Sequence, residues 1–140
     1  MNKDDLSNDI LDVYNDDRLS TPKDVTGSLV RGPSRGYITI AQNSEDIDYL
    51  EMSYALALSL KASQEHNKLC VCVDEETKKL ITDKHRDVFD AIVDIPWNDD
   101  AKGDKWKIHN KWKYPHMTPY DETIILDSDM IFTESVDYWW

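Results

Sequence analysis

Tyr120-Asp121-Glu122-Thr123-Ile124-Ile125-Leu126-Asp127-Ser128-Asp129-Met130-Ile131-Phe132 places a short β-branched and apolar run directly ahead of two aspartates, and more apolar residues follow them. Thr123 to Leu126 predicts a strand. Asp127 and Asp129 are two positions apart, so their side chains project to the same side and can share one hard cation. Charged groups beside buried strand are costly without a counter-charge, and a divalent ion would supply it. Asp-X-Asp alone is common in an acidic chain; its position at the end of a strand gives it weight.

Upstream, the chain alternates strands and helices. Tyr37-Ile38-Thr39-Ile40-Ala41 is β-branched and aromatic and stops at Gln42-Asn43-Ser44, which predicts a first strand. Ser44, followed by Glu45 and Asp46, offers an N-cap. The spacing of Leu50, Tyr54, Ala57, Leu58 and Lys61 predicts a helix to about Ala62. Lys68 to Asp74 predicts a second strand, residues 75 to 86 a surface helix, and Ala91 to Ile95 a third strand closed by Pro96. This β-α-β-α-β order with short connections implies parallel strands with right-handed crossovers, the opening of a doubly wound, Rossmann-like sheet. Ligands of such sheets lie beyond the carboxyl ends of the strands. The residues after Ala41, Ile95 and Leu126 are therefore the candidates for chemistry, with Asp94 and Trp97 placed near them by position.

The 140 residues fit one α/β domain. Asp and Glu outnumber Lys and Arg by 28 to 16, a net charge of -12, which argues against nucleic acid and anionic membranes as partners. Between Lys3 and Asp17 six Asp face one Lys, and residues 1–35 are expected to form an acidic, disordered tail. Its cluster Ile10, Leu11, Val13 and Tyr14 is the one candidate amphipathic turn. No apolar run reaches the roughly 20 residues of a membrane span, and the acidic start is unlike a signal peptide. The expectation is a cytoplasmic protein. Cys70 and Cys72 lie on one face of the second strand and are expected to be core thiols.

In its Asp-X-Asp block and its first strand the chain resembles the glycogenin-like and lipopolysaccharide-galactosyltransferase-like retaining glycosyltransferases. Ser59-Leu60-Lys61 at the end of the first helix, Val88-Phe89-Asp90 before the third strand and Lys107-Ile108-His109 also fit. The likeness runs over about residues 36 to 138, in family order. It implies the GT-A form of the α/β fold, with residues 36–140 as the donor-binding part. It also implies Asp127 and Asp129 as ligands of Mn2+ or Mg2+ gripping the diphosphate of a nucleotide sugar, commonly UDP-linked. Ala41 and Asn43 would then line the base and ribose pocket, Tyr49 would stack on the base, Ser128 would approach the ribose and Lys107 would face the phosphates. The family carries a metal-completing His and acceptor-binding strands beyond this point. The resemblance therefore implies a chain truncated after the Asp-X-Asp strand, with no catalytic residue assignable and the acceptor unidentified. Trp139 and Trp140 are expected to need cover from a partner chain or a C-terminal continuation.

The island Lys105-Trp106-Lys107-Ile108-His109-Asn110-Lys111-Trp112-Lys113-Tyr114 is strongly cationic. It reads either as an anion grip or as a helix with solvated lysines over packed Trp106 and Trp112. His109 and His116 lack a partner at metal-ligand spacing and read as structural. Two rivals stand beside the transferase: a partner-binding, non-catalytic remnant, and a phosphatase of the haloacid dehalogenase type, which places its Asp-X-Asp near the start of the domain. A sugar-phosphate nucleotidyltransferase would need a Gly-rich loop after the first strand, where Ala41-Gln42-Asn43-Ser44 has no Gly.

Overall fold

The computed structural model describes residues 33–140. The acidic stretch up to residue 32, with its Ile10 to Tyr14 cluster, lies outside the described residues. Strands β1 (Arg35–Ala41), β2 (Leu69–Val73), β3 (Ala91–Asp94) and β4 (Glu122–Ile125) form one open sheet in the order β3-β2-β1-β4. Every neighbouring pair is parallel, the Rossmann-like arrangement expected from the alternating elements. β1 begins at Arg35, inside the boundary drawn for the tail, because its guanidinium pairs with Glu122 of β4 at 2.5 Å.

β1 is central, so both of its faces are covered. Tyr37 and Ala41 join Leu69, Val71 and Val73 beneath Leu50, Leu56, Ala57 and Leu60 of α1 (Tyr49–Ser63). On the other face Ile38 and Ile40 pack with Cys70, Cys72, Tyr114 and Met117. Both cysteines are free and buried, as their spacing requires. Gly36 sits under the ring of Tyr120, and a Cβ there would collide with it.

Several boundaries differ from the sequence expectation. α1 is capped by Asp48, whose carboxylate accepts the Glu51 N–H at 3.1 Å, and not by Ser44. Asn43 explains the delay: it accepts the Leu50 N–H at 2.9 Å and donates to Asp48 at 3.0 Å, tying the intervening residues into a loop. The buried stripe of α1 includes Leu56 and Leu60, whereas Leu58 is 44 % exposed. The segment after β2 forms two short helices, α2 (Glu75–Lys78) and α3 (Asp83–Val88), where one was expected. Each has its own start, with Asp74 accepting the Thr77 N–H and the Thr82 N–H donating to His85 Nδ1. Lys111–Lys113 forms a 3-10 turn leading into α4 (Tyr114–Met117).

Of the two C-terminal tryptophans expected to lack cover, Trp140 packs edge-on against Tyr37, with ring centroids 5.2 Å apart. Trp139 lies edge-on to Phe132 and is 44 % exposed. Among the described residues no helix is long and apolar enough to cross a membrane.

Candidate functional site

A cleft of about 220 Å³ opens at the carboxyl ends of β1 and β4. Its walls come from several segments of the chain. Asp127, Ser128 and Asp129 leave the end of β4, Tyr49 and Met52 belong to the first turn of α1, and Lys107 and Lys111 lie on the crossover between β3 and β4. Ile40 and Gln42, at and just beyond the end of β1, also line it. The backbone here is held by Tyr114, whose hydroxyl accepts the Ile40 N–H at 3.2 Å. β4 pairs with β1 only as far as Ile38, so Tyr114 satisfies a donor that the ladder leaves over. Burial pushes the Tyr114 phenol up, which keeps it in the protonated form.

Both residues of the Asp-X-Asp pair line this cleft. Asp127 meets Lys111 Nζ at 2.5 Å, and both side chains are substantially exposed. The observed counter-charge to Asp127 is thus a lysine that the sequence reading did not single out. Lys107 also lines the cleft, but its ammonium donates to the Ala101 carbonyl at 2.8 Å. No third His, Cys, Asp or Glu joins Asp127 and Asp129 in a cluster among the described residues. Two carboxylates nevertheless suit a cation of the Mg2+ or Mn2+ kind. Mg2+ keeps several waters and commonly bridges one or two protein carboxylates to substrate phosphates.

The remaining candidates from sequence divide. Ser128 and Tyr49 share the cleft with the aspartates. Ala41 does not line it, because its methyl is fully buried against α1 in the core. Asn43 lines two adjoining hollows, as does Lys107. Asp94 and Trp97 line the larger of these, about 570 Å³, beyond β2 and β3. There Asp94 is committed to Lys78 at 2.7 Å. His109 pairs with Asp104 and His116 packs edge-on to Trp97 and Trp112, so neither reaches the aspartates.

The helix reading of the cationic island does not hold. Trp106 and Trp112 are 62 % and 58 % exposed, so they are not packed under a helix. Trp112 stacks on Trp97, with centroids 5.6 Å apart and planes 10° from parallel. Trp97 adopts a φ of 61°, a left-handed conformation that is strained for a bulky side chain. Lys113, by contrast, is fully buried.

That lysine belongs to a polar knot beneath the cleft. Its Nζ donates to the Asn98 carbonyl at 2.5 Å and to Asn110 Oδ1 at 2.7 Å. Asn110 Nδ2 donates in turn to Gln42 Oε1 at 2.9 Å and to Asp99 at 2.8 Å, while Gln42 Nε2 donates to Asp99 and Asp74. Burial acts to raise the Asp99 pKa, but the donors Gln42, Asn110 and the Ala101 N–H, helped by the charge of Lys107, hold it below the usual range. The knot fastens the crossover loop to the ends of β1 and β2. It thereby fixes the backbone from which Lys107 and Lys111 project. Isolated Asn and Gln residues carry no spacing signal, so it was not visible in the sequence.

The chain matches no protein-family model and no curated protein.

Proposed function

We propose that the cleft binds the diphosphate of a nucleotide sugar, UDP-linked by the resemblance, through a divalent cation held by Asp127 and Asp129, and that the protein is a glycosyltransferase. One observation carries this reading: Asp127, Ser128 and Asp129 at the end of β4 meet Tyr49 of α1 and two lysines in a single cleft at the carboxyl ends of parallel strands. Ligands of open α/β sheets occupy this location.

Each residue has a role suited to its chemistry. The carboxylates of Asp127 and Asp129 offer hard oxygen donors to Mn2+ or Mg2+, which when bound offsets the charge that accumulates on a departing nucleoside diphosphate. Lys111 and Lys107 add positive charge beside the same oxygens. Tyr49 offers a half-buried aromatic face for the base. Ser128, largely buried between the two aspartates, sets their spacing and brings its backbone to the ribose. The acceptor side of the reaction has no assigned residues here.

Isothermal titration with UDP-sugars tests the reading. Binding is expected with Mn2+ present and is expected to vanish on chelation and in Asp127→Ala or Asp129→Ala. Binding that survives chelation, or is absent from the wild-type protein with Mn2+, would overturn it.

A further inference from the structure

The Lys111–Asp127 pair gains meaning from what surrounds it. Among the described residues four charged ones line the cleft, Asp127, Asp129, Lys107 and Lys111, and together they are neutral. An empty cleft with that balance has little attraction for a diphosphate. A bound dication would leave it with two positive charges, the complement of a diphosphate. For that surplus to reach the phosphates, Lys111 must let go of the carboxylate that the cation takes over.

The turn carrying Lys111 is built for such an exchange. Its backbone is anchored on the following residues: Trp112 Nε1 donates to Asp100 at 2.9 Å, and Lys113 is buried in the knot. The side chain of Lys111 itself is 43 % exposed and, among the described residues, is held only at its tip, on Asp127. A lysine ammonium on a flexible four-carbon stem can change partners without moving the main chain. Lys107, whose ammonium is bound to the Ala101 carbonyl, is not placed to do the same for Asp127.

We propose that Lys111 is an exchangeable counter-ion. It neutralises Asp127 while the cleft holds no divalent cation, yields the carboxylate to the cation, and moves onto the nucleotide's diphosphate. Cation binding thus precedes and creates the anion site. This inference rests on the nucleotide-sugar reading above, and it assigns Lys111, rather than Lys107, as the lysine whose contacts change.

Two titrations on the same proteins separate the ideas: Mn2+ alone, followed by the paramagnetic resonance of free Mn2+, and UDP at saturating Mn2+, followed by calorimetry. Lys111→Met removes the competitor for Asp127, so Mn2+ alone should bind roughly two- to fivefold more tightly, the range of an exposed ion pair. The same variant should bind UDP about tenfold more weakly, having lost a charge-assisted phosphate contact. Lys111→Arg should restore UDP binding, and Lys107→Met should leave the affinity for Mn2+ alone unimproved. Unchanged or weaker Mn2+ binding by Lys111→Met, or undiminished UDP binding, overturns the exchange while leaving the nucleotide-sugar reading intact. If Asp127→Ala binds Mn2+ as well as the wild type does, the metal site fails and both ideas go with it.

Discussion

Removing Asn110 should unfasten the loop that carries the candidate site's lysines. Asn110 is fully buried and uses all four of its side-chain hydrogen-bonding positions, donating to Gln42 and Asp99 and accepting from Lys113 and the Asp100 N–H. In Asn110→Ala the side-chain carbonyl oxygen of Gln42, a residue only 1 % exposed, loses its Asn110 donor. The buried Lys113 ammonium loses one of its acceptors as well. Each stranded buried group costs about 1–3 kcal/mol, so a total of about 3 kcal/mol is a central expectation. In a domain of this size that lowers the melting temperature by roughly 12–20 °C. Urea unfolding followed by far-UV circular dichroism measures the loss directly. Asn110→Asp adds a test of sign. Its new carboxylate would face Asp99 across the present 2.8 Å contact, and two such oxygens share a proton, raising the folded-state pKa of the pair. A raised folded pKa gives stability that is present at low pH and lost as pH rises. This variant should therefore recover relative to wild type as the pH falls from 7 towards 5. A cost below about 1 kcal/mol for Asn110→Ala, or an Asn110→Asp variant indifferent to pH, would refute the assignment of the knot as the loop's fastening.

Gly36→Ala should destabilise the domain by about 1–3 kcal/mol, because the added methyl enters the Tyr120 ring; a second change, Tyr120→Ala, should erase most of the difference between Gly and Ala in chemical denaturation. The Asp137 carboxylate accepts the Glu65 and His66 N–H groups and the Ser135 hydroxyl, which hold its pKa below the usual range. A depressed folded pKa gives stability that is complete above the unfolded value of about 3.9 and is lost as pH falls through the folded one. Melting temperatures recorded from pH 6 to 2.5 should thus fall less steeply at the acid end for Asp137→Asn than for wild type, and parallel curves would contradict this. The Cys72 thiol is pushed up by its hydrogen bond with Cys70 and by burial. Ellman's reagent at pH 8 should therefore find no reactive thiol in the folded protein and two after denaturation.

The sheet was legible because its signals are local. Continuous apolar runs such as Leu69 to Val73, and the abrupt polar stop after Ala41, mark strands whatever surrounds them. That the strands are parallel follows from the short crossovers between the first three; the place of β4 beside β1, reached by the long connection over residues 95–121, was not read from the sequence. The helix face was read less well. Leu58 and Leu60 look alike in a periodic pattern, and only the position of the sheet decides that Leu60 is buried. The start of α1 was missed because Asn43, seven residues before Leu50, diverts the chain into a loop by side-chain bonds that no propensity encodes. At the candidate site the aspartates were visible from their spacing, and Tyr49 and Ser128 came with the resemblance. Lys111 was not, because choosing among Lys105, Lys107, Lys111 and Lys113 requires the path of an irregular crossover. That path places one lysine on a carbonyl, one in the interior and one on Asp127.

The near-parallel pair Trp97 and Trp112 gives this protein a built-in optical reporter. Two indoles at such a separation couple their electronic transitions, and Trp112 stands directly between Lys111 and the anchored Lys113. A ligand that displaces the turn therefore alters the overlap of the rings and should register as a change in near-ultraviolet ellipticity without any label. A lysine that changes partners by its side chain alone should leave that signal where it was.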